Sequence, residues 1–269
     1  MNLRYFLAAL LILLTVTVLA CRNGAKTTAE NSASAVSQQK APITGSKVFR
    51  IEAPDRVVIV GSFYEPNKPD SPAVLLLHQW QSDRHSYDEF AKRLKESGFG
   101  VLSIDGRGFG ESTRKTDGTE IGPERTDVAV KSMLADVNAA FDLLTKQKNV
   151  DPKRVGIVGA SYGSSLALMY AAGNPQVAAV ALLSPGLNYF GSMKTEPAIR
   201  KYGDRPLLMV AAGDDLESAT AVTKLKAAVN NDKYETTVYE QGGHGTGLFV
   251  AKVGLDDQLV SFLTKNLGR

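Results

Sequence analysis

The sequence predicts an α/β fold, with a doubly wound and mostly parallel sheet of about eight strands. Three observations support this fold class. Short segments that are apolar throughout, as expected of strands covered on both faces, recur along the chain. Segments with apolar residues at helical spacing lie between them, and this alternation favours parallel connections. A turn flanked by glycines, Gly159–Gly163, joins one such strand directly to a helix.

The first two strand patterns are separated by Ala53-Pro54-Asp55, which predicts an antiparallel pair. The predicted strands are Val48–Glu52, Val57–Tyr64, Ala73–His78, Gly100–Ile104, Arg154–Val158, Val177–Leu183, Pro206–Ala212 and Tyr234–Tyr239. The predicted helices are Ser86–Ser97, Val128–Lys146, Ser164–Ala172, Glu217–Val229 and Leu255–Asn266. Ser86 and Glu89 have the spacing of a capping box. Residues 47–269 are therefore expected to form one domain with one core.

Ser161 is the candidate nucleophile. It lies at the centre of Gly159-Ala160-Ser161-Tyr162-Gly163, where the strand Arg154–Val158 must turn sharply into a helix. Glycines on either side let the strand and the helix approach closely, and so tight a turn holds the serine in a strained conformation with its hydroxyl pointing out of the sheet. A serine hydroxyl is a weak nucleophile by itself, so the motif requires a base within hydrogen-bonding distance.

Candidate partners follow later in the chain. Asp214 and Asp215 come directly after the strand Pro206–Ala212, and His244 lies in the loop Gly242-Gly243-His244-Gly245. Histidine is the common base for a serine, and a carboxylate fixes the histidine tautomer and stabilises the imidazolium. His244 is thus the candidate base, and either aspartate could be the acid. The other one is expected to be a solvated charge or a helix N-cap.

The order serine, aspartate, histidine resembles the α/β-hydrolase superfamily, most closely its branches similar to dienelactone hydrolases and prolyl oligopeptidases. Two more motifs agree. Leu75–Trp80 resembles the strand that opens an oxyanion loop, and Asp105–Ser112 resembles the Asp-x-Arg-Gly-x-Gly-x-Ser turn of the superfamily. The resemblance covers residues 47–269 and implies an α/β-hydrolase fold. The usual position of the acid in the family favours Asp215 over Asp214, with Glu217 as a third alternative.

The resemblance implies a serine hydrolase that cleaves small carboxylic esters through an acyl-enzyme, without a cofactor. In the family, two backbone N–H groups bind the oxyanion. Carried over by position, they belong to Tyr162 and to either Gln79 or Trp80. The chain departs from the family here, because His78-Gln79 stands where His-Gly is expected, and this leaves the second donor open. Trp80 is expected either to wall the acyl pocket or to pack in the core.

Two other functions stay open. A peptidase or amidase is suggested because Ser161-Tyr162-Gly163 also resembles prolyl oligopeptidases, although those enzymes usually carry an N-terminal propeller. A non-catalytic lipoprotein that binds at a surface would keep the fold, although a complete set of serine, aspartate and histidine argues against it. Dienelactone hydrolases carry cysteine at the position of Ser161, so their substrate is not transferred.

Several residues near these motifs are predicted to be structural. His78 is expected to bond to backbone groups and hold the oxyanion loop, and His85 to lie on the surface. Within Asp105–Ser112, Arg107 is expected to tie loop carbonyls together and Ser112 to act as a cap.

The segment from Pro185 to Arg205 is too short for a large cap domain. The sequence therefore predicts an open site with at most a short flap, which would carry Tyr189, Phe190 and Met193.

The first residues, 1–20, predict a signal peptide for export, because their apolar run is shorter than a spanning helix needs. Val18-Leu19-Ala20-Cys21 resembles a bacterial lipobox, which predicts lipidation of Cys21; ordinary signal cleavage is the alternative. Residues 21–46 are rich in small and polar side chains, and this composition predicts a flexible tether. The domain is therefore expected in the bacterial cell envelope, anchored to a membrane and facing the periplasm or the exterior.

The composition excludes some functions. The net charge is +3 without basic clusters, which argues against nucleic acid as a partner. The chain has 3 histidines, which are scattered, and a single cysteine, so neither a zinc site nor an internal disulfide is expected. We expect a monomer.

Overall fold

A computed structural model describes residues 45–229 and 231–268 of the chain. Its strands are β1 (Lys47–Glu52), β2 (Val58–Tyr64), β3 (Ser71–Leu77), β4 (Gly100–Ile104), β5 (Val150–Ala160), β6 (Val177–Leu183), β7 (Asn188–Tyr189), β8 (Met193–Lys194), β9 (Leu207–Ala212) and β10 (Tyr234–Tyr239). Eight of them form one sheet in the order β1-β2-β4-β3-β5-β6-β9-β10. The strands β7 and β8 form a separate hairpin.

The pairing follows the prediction. β1 pairs antiparallel with β2, and β2 pairs antiparallel with β4. All other neighbours in the large sheet are parallel. The predicted doubly wound, mostly parallel sheet is therefore confirmed. The carboxyl ends of the parallel strands meet at one edge, where α/β sheets usually hold their functional loops.

The helices are α1 (Asp88–Glu96), α2 (Asp127–Thr145), α3 (Tyr162–Gly173), α4 (Thr195–Tyr202), α5 (Leu216–Ala227), α6 (Gly247–Val250) and α7 (Leu255–Leu267). The core residues of α2 to α5 belong to the apolar cluster on one face of the sheet, and those of α1 and α7 belong to the cluster on the other. Neighbouring residues of β3 alternate between the clusters: Leu75 packs on the first face and Leu76 on the second, and both are fully buried. Coverage on both faces explains why the central strands read as unbroken apolar runs.

The first helix begins differently from the prediction. A 3₁₀ turn, Arg84–Tyr87, precedes α1, and Asp83 caps this turn by accepting from the N–H of His85 at 2.9 Å. Ser86 donates its hydroxyl to the Asp83 carbonyl instead of capping a helix. The predicted capping box is therefore wrong, because the chain is already helical at Ser86 and Asp83 caps the turn three positions earlier.

The segment between β6 and β9 folds into the hairpin β7–β8 followed by α4. Met193 in β8 and Ile199 in α4 are fully buried, so the segment packs on the body of the fold. Thr195 fixes its base, because its hydroxyl donates to the carbonyl of Gly186 at 2.6 Å and contacts the Ser165 hydroxyl at 2.8 Å. The insertion is a short flap, as expected, with one helix that the sequence did not predict.

The predicted signal peptide 1–20, the lipidation site Cys21 and almost all of the tether 21–46 lie outside the described residues. Among the described helices, none combines the length and the apolar character needed to cross a membrane.

Candidate active site

Ser161 occupies the turn between β5 and α3 in a strained conformation, with φ 54° and ψ −123°. Non-glycine residues rarely have positive φ, and a surrounding structure must stabilise the strain. Two glycines make the turn possible. A Cβ at Gly159 would overlap the backbone of Gly163, and a Cβ at Gly163 would lie 2.5 Å from the His78 carbonyl oxygen. The turn thus packs against the end of β3 as well as against its own helix.

Ser161, His244 and Asp215 form one hydrogen-bonded chain. The Nε2 of His244 lies 2.7 Å from the Oγ of Ser161, and the Nδ1 of His244 lies 2.6 Å from Oδ2 of Asp215. Ser161 follows β5, Asp215 follows β9 and His244 follows β10, so the carboxyl edge of the sheet brings the three residues together. This is the arrangement in which an imidazole can take a proton from a serine hydroxyl.

The two adjacent aspartates have different contacts. Asp215 bonds to His244 and also caps α5 by accepting from the N–H of Ser218. Burial disfavours ionisation of Asp215, but the hydrogen bonds from Ser218 and His244 outweigh it and hold the pKa of Asp215 below its ordinary value. Asp214 instead accepts from the N–H groups of Gly242 and Gly243, at 3.1 and 3.0 Å. Asp214 is exposed, as expected of a solvated loop charge, and it also holds the loop that carries His244. The helix cap is Asp215 instead.

Two further side chains hold the same loop. The hydroxyl of Ser184 accepts from the N–H of Gly245 at 2.9 Å, and the Oε1 of Gln79 accepts from the N–H and hydroxyl of Thr246, both at 2.7 Å. Ser184 directly follows β6 and has a positive φ of 48°, which is unusual for serine. Sequence reasoning missed Ser184 and the Gln79 side chain as loop contacts. The only sequence signal was the position of each at the end of a buried strand.

His78 holds the loop after β3, as the sequence predicted. Its Nδ1 lies 2.6 Å from the carbonyl oxygen of Gln79, and its Nε2 accepts from the N–H of Gly106 at 2.8 Å. Because Nε2 accepts, the ring proton lies on Nδ1. His78 is almost fully buried, and the loss of solvation lowers its pKa. The neutral ring therefore fixes the backbone of Gln79.

An aromatic cluster lies beside the loop after β3. The ring of Trp80 packs edge to face against Phe109, Tyr162 and Phe190, with centroid distances of 4.8, 5.4 and 4.7 Å. The guanidinium of Arg125 lies 4.9 Å from the Trp80 ring centre. Trp80 is only partly buried, so it joins the apolar core to the surface beside Ser161.

The hairpin β7–β8 covers Ser161. The hydroxyl of Tyr189 lies 3.3 Å from the Oγ of Ser161 and donates to the carbonyl of Ser184. Ser161 is only 5% exposed, whereas the His244 side chain is 47% exposed. The expected short flap with Tyr189 is present, and the Tyr189 hydroxyl makes the site less open at Ser161 than expected.

A sequence profile of the dienelactone hydrolase family matches residues 59–252, which is more than half of the chain. The chain belongs to the dienelactone hydrolase family. It is 30% identical over 225 residues to an uncharacterized protein of Mycobacterium tuberculosis strain H37Rv, covering 77% of this chain and 75% of the relative.

Solved structures support the same fold. A Pyrococcus furiosus esterase has a TM-score of 0.68 at 18% identity, covering 82% of this chain and 91% of that chain. A dienelactone hydrolase from Anabaena variabilis has a TM-score of 0.62 at 19% identity, covering 83% and 99%. The protein therefore has the α/β-hydrolase fold, and its family is one of hydrolases.

The turn Asp105–Ser112 of this dienelactone hydrolase family member is architectural. Arg107 bonds to the carboxylates of Asp136 and Asp55, each at 2.7 Å, rather than chiefly to loop carbonyls as predicted. Ser112 was predicted to act as a cap, and its hydroxyl does bond backbone groups: it accepts from the N–H of Val60 at 2.8 Å and donates to the Asp105 carbonyl. The turn is thereby tied to β2 and to α2.

His85 lies away from this site and is not a surface residue as expected. Its side chain is only 11% exposed, and Nδ1 lies 2.9 Å from Oδ2 of Asp88. Within the ranges 45–229 and 231–268, no group of three or more histidine, cysteine, aspartate or glutamate side chains is arranged to hold a metal ion.

Proposed function

We propose that this protein is a serine hydrolase that cleaves carboxylic esters of small molecules. The observation that carries the proposal is the hydrogen-bonded chain from Ser161 through His244 to Asp215, with distances of 2.7 and 2.6 Å. Membership in a hydrolase family supports the reaction class. The strained turn at Ser161 supports its role as the nucleophile, because it presents the hydroxyl at the edge of the sheet.

The proposed reaction has two steps. The Nε2 of His244 takes the proton of Ser161 while Oγ attacks the ester carbonyl carbon, and the alcohol leaves with that proton when the carbon–oxygen bond breaks. In the second step His244 takes a proton from water, the hydroxide attacks the acyl-enzyme, and the proton returns to Ser161 as the acid leaves. Asp215 holds the imidazole tautomer and stabilises the imidazolium in both steps.

The oxyanion requires backbone donors near Ser161. The N–H of Tyr162 belongs to the first turn of α3, and such groups have no partner inside their own helix. For the second donor we favour Trp80 over Gln79. The Gln79 carbonyl faces the His78 ring, and the N–H of the same trans peptide, which is that of Trp80, points the opposite way.

The cover over Ser161 favours small esters over polypeptides. An extended peptide would have to displace Tyr189 and the Trp80–Phe190 contact together, because β7–β8 lies across the site. A small acyl group needs only a local displacement of Tyr189. A peptidase is therefore the weaker alternative, and esters with short acyl chains should be the better substrates.

Labelling with a fluorophosphonate tests the proposal. The wild-type chain should be labelled on Ser161 and should hydrolyse a p-nitrophenyl acetate probe. Ser161→Ala should lose both reactions, with kcat lower by about 10⁶-fold, and should keep its thermal midpoint. Ser165→Ala is a matched control, because this buried serine of α3 contacts Thr195 and not His244. Full activity of Ser161→Ala would exclude the mechanism. A wild type that is labelled but cleaves only amides would favour the peptidase.

We also infer that the chain is exported and anchored through a lipid on Cys21. The support is the apolar run before Cys21, the lipobox pattern and the small polar residues after it. Mass spectrometry of the mature N-terminus and membrane fractionation test this inference. Cys21→Ser should release the protein from the membrane or leave it uncleaved, with kcat unchanged. An unmodified Cys21 in a freely soluble wild-type protein would contradict it.

A further inference from the structure

The side chain of Gln79 spans the candidate site from the loop after β3 to the loop that carries His244. Its Oε1 accepts from both the N–H and the hydroxyl of Thr246 at 2.7 Å. Thr246 is buried and lies two residues after His244. One amide oxygen has two acceptor positions, so Thr246 alone uses the full capacity of this oxygen.

Gln79 is held at its main chain as well. The Nδ1 of His78 bonds to the Gln79 carbonyl at 2.6 Å, and the same ring accepts from Gly106. The peptide that joins Gln79 to Trp80 is therefore fixed from one side, and the Gln79 side chain is fixed from the other. A displacement of either loop would break at least one of these contacts.

The histidine loop leaves room for this side chain. Gly245 has φ +61°, and a Cβ at that position would lie 2.5 Å from Oε1 of Gln79. The glutamine that replaces the expected glycine after His78 is thus matched by a glycine on the opposite loop.

Gln79 differs from the other residues that hold the loop. Asp214 follows β9 and Ser184 follows β6, and both strands lie on the same side of β5 as the strand before His244. Gln79 follows β3, on the other side of β5. Among the contacts described above to the loop that carries His244, only the Gln79 contact therefore joins loops from opposite sides of β5, the strand that precedes Ser161.

We propose that Gln79 is a positioning residue that fixes the oxyanion donor, the N–H of Trp80, relative to the base His244. This inference rests on the proposed function. The donor N–H binds the oxygen of the reacting carbonyl, and His244 takes the proton of the hydroxyl that attacks the carbonyl carbon. The distance between the donor and His244 must therefore match the geometry of the transition state. A direct side-chain contact between the two loops keeps that separation constant.

Gln79→Ala in the full-length chain is the primary test. We expect kcat for p-nitrophenyl acetate to fall roughly 10- to 100-fold with KM within about threefold of wild type, because misplacement affects the transition state more than binding. Gln79→Glu keeps an acceptor oxygen for both Thr246 groups and should recover most of the lost kcat. Gln241→Ala is the matched control, because Gln241 is an exposed glutamine just before the same loop.

Thr246 supplies an independent pair of variants. Thr246→Ser keeps both hydrogen bonds and should retain wild-type kcat, whereas Thr246→Val loses the hydroxyl bond and should lose about fivefold. Adding Thr246→Val to Gln79→Ala should cause no further loss, because the first substitution already removed both bonds.

The outcomes separate the inference from the proposed function. Wild-type kcat in folded Gln79→Ala, or losses that multiply in the double variant, would overturn the positioning role alone. If Gln79→Ala does not fold, equal activity of Thr246→Val and Thr246→Ser would overturn it. A wild-type protein that neither reacts with a fluorophosphonate nor cleaves an ester would overturn the proposed function, and the positioning role with it.

Discussion

The hydroxyl of Tyr189 lies 3.3 Å from the Oγ of Ser161, on a hairpin that the strand pattern did not predict. The Tyr189 ring packs directly on Gly186, where a Cβ would lie 2.7 Å from the ring carbon Cζ. Reacting atoms must approach within about 3–3.5 Å, which is the space that this hydroxyl occupies. Under the proposed mechanism a substrate would have to displace Tyr189, so Tyr189 should limit the size of the groups that reach Ser161.

Two substitutions of Tyr189 separate its cover from its hydroxyl. Tyr189→Phe keeps the ring and should change kcat/KM by less than about fivefold, because a 3.3 Å hydrogen bond is weak compared with the 2.7 Å contact to His244. Tyr189→Ala removes the cover and should raise kcat/KM for hexanoate over acetate esters by about tenfold. A series of p-nitrophenyl esters measures both effects. A loss of 100-fold or more in Tyr189→Phe would instead place the hydroxyl in the chemistry.

The adjacent aspartates should respond differently to the same change. Asp215→Asn should lower kcat by about 10⁴-fold, because an amide stabilises the wrong tautomer of His244. Asp214→Asn should lose less than about tenfold, since one amide oxygen can still accept from Gly242 and Gly243, both of which contact Oδ1 of Asp214. Asp214→Ala leaves these amides without the acceptor and should lose more than Asp214→Asn. Steady-state kinetics of the three variants would contradict the assignment if Asp214→Asn were the most damaged.

The central part of the sheet was predictable because its strands are buried on both faces. The buried runs of β4 and β6 gave the observed bounds. The start of β5 was missed because Lys153 and the residues around it are exposed and polar. The hairpin β7–β8 was missed because two-residue strands have no alternation to detect.

The site was predictable where a motif fixes the backbone. The turn around Ser161 and the order of Asp215 and His244 pointed to residues that the fold brings together. The contacts of Asp214, Ser184 and Gln79 with the histidine loop depend on how loops from different strands meet, and no local pattern encodes that. The departure at Gln79 was visible in the sequence, but its partner Thr246 was not.

Below its plateau, the pH profile of kcat/KM should depend on a single ionisation. The pKa of Asp215 is held below its ordinary value, so this carboxylate should stay ionised in mild acid and add no second ionisation to that of the general base. Log kcat/KM should then rise with pH with a slope of about one and reach a plateau. Burial raises the pKa of Tyr189 from 10.0 to about 12, so the plateau should show no loss from this phenol up to pH 10. A slope near two would mean that Asp215 also ionises within this pH range.

Removal of Arg107 should destabilise the fold. Arg107 bonds to Asp136 and Asp55, and burial raises the pKa of Asp136 to about 6 even beside this arginine. Arg107→Met leaves a buried carboxylate without its charged partner, which should lower the free energy of unfolding at neutral pH by about 3–5 kcal/mol. Arg56→Met is the matched control, because Arg56 is an exposed arginine that bonds to Thr116.

The pH dependence of Arg107→Met distinguishes this cause from lost packing. Burial raises the pKa of Asp136 in the folded state, so the stability of the wild type falls as the pH rises from 3.8, the ordinary pKa of an aspartate, to about 6. Arg107 lowers the pKa of Asp136, so its removal extends this window to higher pH, and the variant should lose more stability than wild type as the pH rises. Urea unfolding at a series of pH values should therefore show that the deficit relative to wild type shrinks as the pH falls from 7 towards 4. A deficit that is constant with pH would assign the loss to packing of the arginine side chain instead of to the charge of Asp136.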